Sequence, residues 1–107
     1  MSRRPASTDV FYAIADPTRR RLLDLLTTEA RPMGELARRF RVSVSAVSQH
    51  LRLLRQADLV LVQRVGRERW YRLNAKPLER VAGWVAIYER FWHQKLDALG
   101  EHLKENP

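Results

Sequence analysis

The chain has no cysteine in 107 residues, which excludes disulfides, thiolate metal sites and thiol redox switching. It also lacks any apolar run near the ~20 residues that a membrane-spanning helix needs. The opening octet, MSRRPAST, carries two arginines with no apolar segment behind them, so it does not match a signal peptide and reads as a short flexible tail, residues 1–8. Glycine is scarce, at four residues, and none forms a phosphate-cradling loop. Paired carboxylates and nucleophile–histidine arrangements are missing too, and the three histidines stand apart at positions 50, 93 and 102. General acid–base or nucleophilic catalysis needs such groups close together, so the reading is not an enzyme. A cysteine-free chain of this kind fits the reducing cytoplasm, and membrane partners are not expected.

Acidic residues are in short supply, twelve against twenty lysines and arginines, giving a formal charge of +8. The imbalance is uneven. Sixteen of the basic residues and seven of the acidic ones precede Pro77, whereas the rest of the chain holds four and five. A chain that was only soluble and basic has no reason to segregate its charge, so the first part points to a polyanion and the second to another task. At this length, with 45% hydrophobic residues, a single folded domain is expected.

Residues 9–15, DVFYAIA, read as a first helix with Phe11, Ile14 and Ala15 on one side. Asp16 can cap a second helix with Pro17 at its first position, where a missing N–H costs nothing. Leu22, Leu25 and Leu26 are expected to face inward. Arg19, Arg20 and Arg21 lie near the start of this helix and oppose its dipole. Either a phosphate backbone or ion pairs with Asp16, Asp24 or Glu29 would account for them. Arg31-Pro32 breaks the chain, and MGELARRF forms a short helix. After a turn at Arg41-Val42, Ser43 opens the helix VSAVSQHLRLLRQ. Two short helices joined in this way are a helix-turn-helix signal.

The second of these helices has Val44, Val47, Leu51 and Leu54 at intervals of three and four, a spacing that predicts a buried face. Opposite lie Ser45, Gln49 and Arg52, with Ser48 at the edge. Glutamine can pair with an adenine edge, arginine with guanine and serine with either. His50 falls beside the buried face and suits a phosphate contact or a structural hydrogen bond. Next come LVLVQRV and RWYRL around Gly66-Arg67-Glu68, a β-hairpin pattern. Arg64, Arg67 and Arg69 cluster at its tip, where they repel one another unless an anion joins them. The expected fold is mainly α with a small β-hairpin, a winged helix-turn-helix over residues 9–76.

Residues 77–107 form the last segment, a long helix beginning near Pro77 and running to about Lys104. Its apolar positions make two adjacent stripes, one with Leu78, Val81, Val85, Tyr88, Trp92, Leu96, Leu99 and Leu103, the other with Trp84, Ile87 and Phe91. One stripe would cover the core of a single chain; two leave an apolar excess. Burying each large side chain is worth about 1.5–3 kcal/mol before entropy is counted, so pairing with a second copy is expected. The dimer-forming set is Phe11 with Val81, Trp84, Val85, Tyr88, Phe91, Trp92 and Leu96. A pocket for a small apolar inducer is the alternative use of these aromatics.

The runs FYAIADPTRRRLLDLL, GELARRFRVSVSAVSQHLRLLRQADLV and VGRERWYRL resemble the ArsR/SmtB family of bacterial winged-helix repressors over roughly residues 10–74. The tail PLERVAGWVAIYERFWHQKLDAL resembles a branch with an aromatic last helix. The resemblance implies a homodimer built on the first and last helices and bound to an operator in double-stranded DNA. It also implies release by a metal ion or another signal. It assigns Ser45, Ser48, Gln49, His50 and Arg52, behind Ser43, to the recognition helix, and Arg64, Arg67 and Arg69 to the wing. The family's metal sites are not matched. MGELARRF offers no thiol for the Cys-x-Cys, Ala75 and Pro77 replace the Asp-x-His, and Tyr88 and Phe91 fall where its other two ligands would be. The remaining candidates for nickel or zinc are Glu89 with His93, His93 with Asp97, and His102 with Glu101 or Glu105, all pairs on one helix. Competing readings are a non-specific architectural nucleic-acid binder and a module whose last helix binds a different protein.

Overall fold

In the computed structural model the described residues are 9–105, and the described side chains are 9–100. The expected tail at residues 1–8 lies outside them, as do the side chains of Glu101, His102, Leu103 and Glu105. Helix α1 (Val10–Ile14) starts where the Asp9 carboxylate accepts the Phe11 N–H at 2.7 Å. Its inward residues are Val10 and Ala13 rather than Phe11, Ile14 and Ala15; Ala15 is exposed and Ile14 only half-buried. Five residues are too few for periodicity to choose a face, so packing on the next helix decides it. Helix α2 (Pro17–Leu25) begins as its sequence dictates. Asp16 Oδ2 accepts the Arg19 N–H at 3.0 Å, and proline takes the first position. Leu22, Leu23 and Leu26 are buried, and Leu25 is only half-buried.

Arg31-Pro32 forms strand β1, pairing Arg31 with Tyr71 and Pro32 with Trp70. Two residues carry no readable period, and proline is tolerated at a sheet edge. Helix α3 (Met33–Arg38) buries Leu36. It leads through a short turn into α4 (Val44–Gln56), which buries Val47, Leu51 and Leu54. Val44 does not join them. It is 63% exposed, because it sits in the first helical position, beyond the edge of the leucine-lined core.

Strands β2 (Val60–Val65) and β3 (Glu68–Leu73) make the hairpin, and the antiparallel sheet runs β1-β3-β2. Gly66 has φ +63° and is the first of two turn residues, the glycine-first pattern of a type II′ hairpin, whose twist matches the strands. Helix α5 (Leu78–Glu105) is 28 residues long, or about 42 Å at 1.5 Å per residue. Leu78 and Val81 pack against the core, and the helix then runs beyond it. The radius of gyration is 18.7 Å, against about 13 Å for a compact chain of this length.

The core is one cluster in which α1, α2, α3, α4 and the sheet meet, centred on the fully buried Leu22, Leu36, Val47, Leu51, Leu54 and Leu59. Because Leu51 is enclosed on every side, Leu51→Ala is expected to destabilise the protein by about 2–5 kcal/mol. Urea denaturation at fixed protein concentration measures this, and a loss below about 1 kcal/mol would contradict the packing described.

Candidate nucleic-acid interface

Helix α4 starts at Ser43, whose Oγ accepts the Ala46 N–H at 3.1 Å. This cap satisfies one of the free N–H groups of the first turn. With Val47, Leu51 and Leu54 buried, Ser45, Ser48, Gln49 and Arg52 are exposed along the outer side. The hairpin leans toward the start of α4. Between them lies an open cleft of about 650 Å³, with Ser45 and Ser48 on the helix wall and Arg64, Arg67, Arg69 and Glu68 on the hairpin wall. Arg64 and Arg69 are direct cross-strand partners. Like charges in that position destabilise a sheet unless an anion sits between them. Glu68 is tied back by the Trp70 indole, which donates to its Oε2 at 3.2 Å. The cleft therefore joins hydroxyl groups suited to base edges with guanidinium groups suited to phosphate.

Arg19 is not part of that surface. It is 7% exposed, the one buried charged residue among those described. Its Nε donates to the Ala13 carbonyl at 2.7 Å and its Nη2 to the Tyr12 carbonyl at 3.0 Å. The guanidinium carbon lies 5.3 Å from the centre of the Tyr12 ring. Neither a phosphate contact nor an ion-pair role describes it first. It satisfies the carbonyls left free at the end of α1. Arg20 does the same from the exposed side, with Nη1 donating to the carbonyls of Ile14 at 2.8 Å and Ala15 at 3.1 Å. Arg21 is exposed.

His50 completes this cluster rather than the reading face. It is half-buried, with Nδ1 3.4 Å from Arg19 Nη1 and 4.0 Å from Asp16 Oδ2. Partial burial pushes the Asp16 carboxyl up, but the Arg19 N–H, the neighbouring His50 and Arg19 charges and the Thr18 N–H outweigh it and hold the group below its ordinary value. A second cluster escaped sequence reasoning because its parts straddle a strand and a helix. Arg31 donates through Nε to the Leu25 carbonyl at 2.7 Å and through Nη1 to Glu35. That hydrogen bond from Arg31 is the main reason the Glu35 carboxyl lies below its ordinary value; slight burial opposes it, and the charges of Arg31 and Arg39 add to it. The two residues lock β1 to α3, the helix before the turn. An Arg and a Glu four residues apart were the available signal.

On the far side, Phe11 meets Trp84 edge-on at 5.8 Å, Trp84 meets Tyr88 at 5.4 Å, and Tyr88 lies 6.4 Å from Phe91. Val81 and Val85 are half-buried, whereas Trp84, Tyr88, Phe91, Trp92 and Leu96 are exposed, as are Ile87 and Leu99. Glu89 and His93 are exposed as well. Among the described residues no group of three or more His, Cys, Asp or Glu is placed to hold a metal ion.

A helix-turn-helix domain family matches residues 14–63. The chain is 39% identical over 77 residues to the transcriptional repressor SdpR of Bacillus subtilis (strain 168), covering 72% of this chain and 86% of that one. A solved ArsR family transcriptional regulator superposes with a TM-score of 0.72 at 28% identity, over 87% of this chain and 97% of its own. The chain belongs to the ArsR/SmtB family of winged helix-turn-helix regulators. An ArsR-like transcriptional regulator from Rhodococcus sp. RHA1 extends the match, with a TM-score of 0.65 and 32% identity over 89% of this chain and 90% of that one. This ArsR/SmtB protein is accordingly a DNA-binding transcriptional regulator and not an enzyme. Among the described residues no helix is long and apolar enough to cross a membrane.

Two outcomes follow from the cluster around Arg19. Arg19→Met keeps the apolar stem but leaves buried carbonyls without a donor, a loss of about 1–3 kcal/mol. Arg20→Met, acting at the solvent side, is expected to cost clearly less in the same denaturation series. Asp16 and Glu35 both have folded values below their ordinary 3.8 and 4.5. The stability they add is complete above those ordinary values and drains away as pH falls through the lowered ones. Thermal melts on acidification should decline more steeply for the natural protein than for an Asp16→Asn, Glu35→Gln double variant; parallel declines would contradict the assignment.

Proposed function

We propose that the protein is a sequence-specific repressor that acts in the cytoplasm as a homodimer on a near-palindromic operator. The observation that carries this reading is the cleft between α4 and the hairpin. Uncharged Ser45 and Ser48, with Gln49 beside them, present base-reading groups, while Arg64, Arg67 and Arg69 flank them with charge. A protein that held DNA by charge alone would have no use for glutamine and serine at the centre of its contact surface. In this reading Ser43, Ser45, Ser48, Gln49 and Arg52 serve the major groove. The three wing arginines with Arg20 supply contacts to the phosphate backbone. His50 orients α4 from behind.

Residues 9–76 form the DNA-binding core, and residues 77–107 the dimerisation segment. The exposed face of Trp84, Ile87, Tyr88, Phe91, Trp92 and Leu96, continued by Phe11, is too large to leave in water, and the same face on a second copy would cover it in a two-fold pairing. To read successive major grooves, such a dimer would hold its two α4 helices about 34 Å apart, one turn of DNA, on near-palindromic half-sites. An effector, as the family resemblance implies, would act by altering that spacing through α5.

Selection of bound genomic fragments followed by gel-shift titration tests the operator reading. The expected result is a duplex bound at least ~10³-fold more tightly than random DNA. Gln49→Ala should relax preference at defined base pairs, each worth about 1–3 kcal/mol. Arg67→Ala should weaken all duplexes alike and lower the salt slope by about one unit. Uniform binding of every duplex would favour an architectural role instead. In sedimentation experiments the natural chain should form a dimer without any added partner, and Trp84→Glu with Phe91→Glu should leave a folded monomer.

A further inference from the structure

Sequence periodicity sends Val44 inward, and the structure turns it out. It occupies the first position of α4 with 63% of its surface exposed, and it lines the same cleft as Ser45, Ser48 and the three wing arginines. At 100° per residue it lies about 40° around the helix from Ser48 and about 20° from the buried Leu51, at the border between the polar face and the core. A single exposed valine is ordinary on most surfaces. Its setting here is not: the cleft is otherwise built of hydroxyl, guanidinium and carboxylate groups, and Met33, the other apolar side chain in its lining, is packed against the core. A β-branched residue also does little for the first turn of a helix, so folding gives no reason for it to be there.

The geometry points to Val44 as a specificity-determining residue that reads thymine. Among the base edges in the major groove, only thymine presents an apolar group, its C5-methyl, and contact with an aliphatic side chain distinguishes it from cytosine. Ser45 and Ser48, which follow Val44 on the same side of the helix, can bond to neighbouring base edges while the arginines hold the phosphates. The valine then covers a methyl group that would otherwise stay in water. This inference rests on α4 being the operator-reading helix and adds the base it selects at one position of each half-site.

The test uses the full-length protein and its selected operator, in a duplex series where each thymine in turn is replaced by deoxyuridine, which removes only the methyl group. For the natural protein, one thymine per half-site should be sensitive, with affinity falling about three- to five-fold, the worth of one buried methyl. In Val44→Ala that sensitivity should disappear while sensitivity at other positions persists, with an unchanged melting temperature showing that the fold is intact. A specific operator with no uracil-sensitive thymine, or a sensitivity that survives in Val44→Ala, would overturn this inference alone. Recovery of no specific duplex at all would overturn the operator reading and this inference with it.

Discussion

The Arg19 guanidinium closes the end of α1, lies against the Tyr12 ring and reaches His50 in α4, so three helices are tied at one buried charge. A buried arginine is tolerated only when its donors are satisfied, and backbone carbonyls of Tyr12 and Ala13 do that here. The arrangement fixes where α1 sits relative to the reading helix. Phe11, also in α1, packs edge-on against Trp84 of α5. The orientation of α4 and that of the long apolar helix are thus set through the same short element.

Around this anchor the charge is arranged by distance from the core. The residues at the centre of the proposed contact surface are uncharged, and the arginines stand at the hairpin tip, where β2 and β3 bring Arg64 opposite Arg69. Repulsion across that pair is a local cost that an isolated hairpin would have no reason to bear. With a phosphate between them the same pair becomes an asset. The placement suits a polyanionic partner, in keeping with the family's role in transcription.

Much of the fold was legible in the linear pattern. The Asp16-Pro17 start, the Ser43 cap, the leucine spacing of α4 and the glycine-centred hairpin each rest on interactions within a few residues, so local chemistry decides them. Strand β1 was not legible, because two residues have no period and their pairing partner lies about forty positions away. Val44 was misplaced for a related reason. Its spacing fits the buried stripe, but the core ends one turn short of it, and no sequence pattern records where neighbouring helices stop. The Arg31–Glu35 lock and the inward faces of α1 escaped on the same ground.

The site shows the same division. Composition and spacing alone determined that this chain has a basic, cysteine-free helix-turn-helix with a polar face on its second helix and an aromatic last helix, because those properties belong to residue types and short intervals. Tertiary structure decided which arginines face solvent. Arg19 and Arg20 are neighbours of identical chemistry and both donate to carbonyls at the end of α1, yet one is drawn into the core and the other stays at the surface. The side of a helix that becomes interior depends on what packs against it, and that is settled only when distant segments meet.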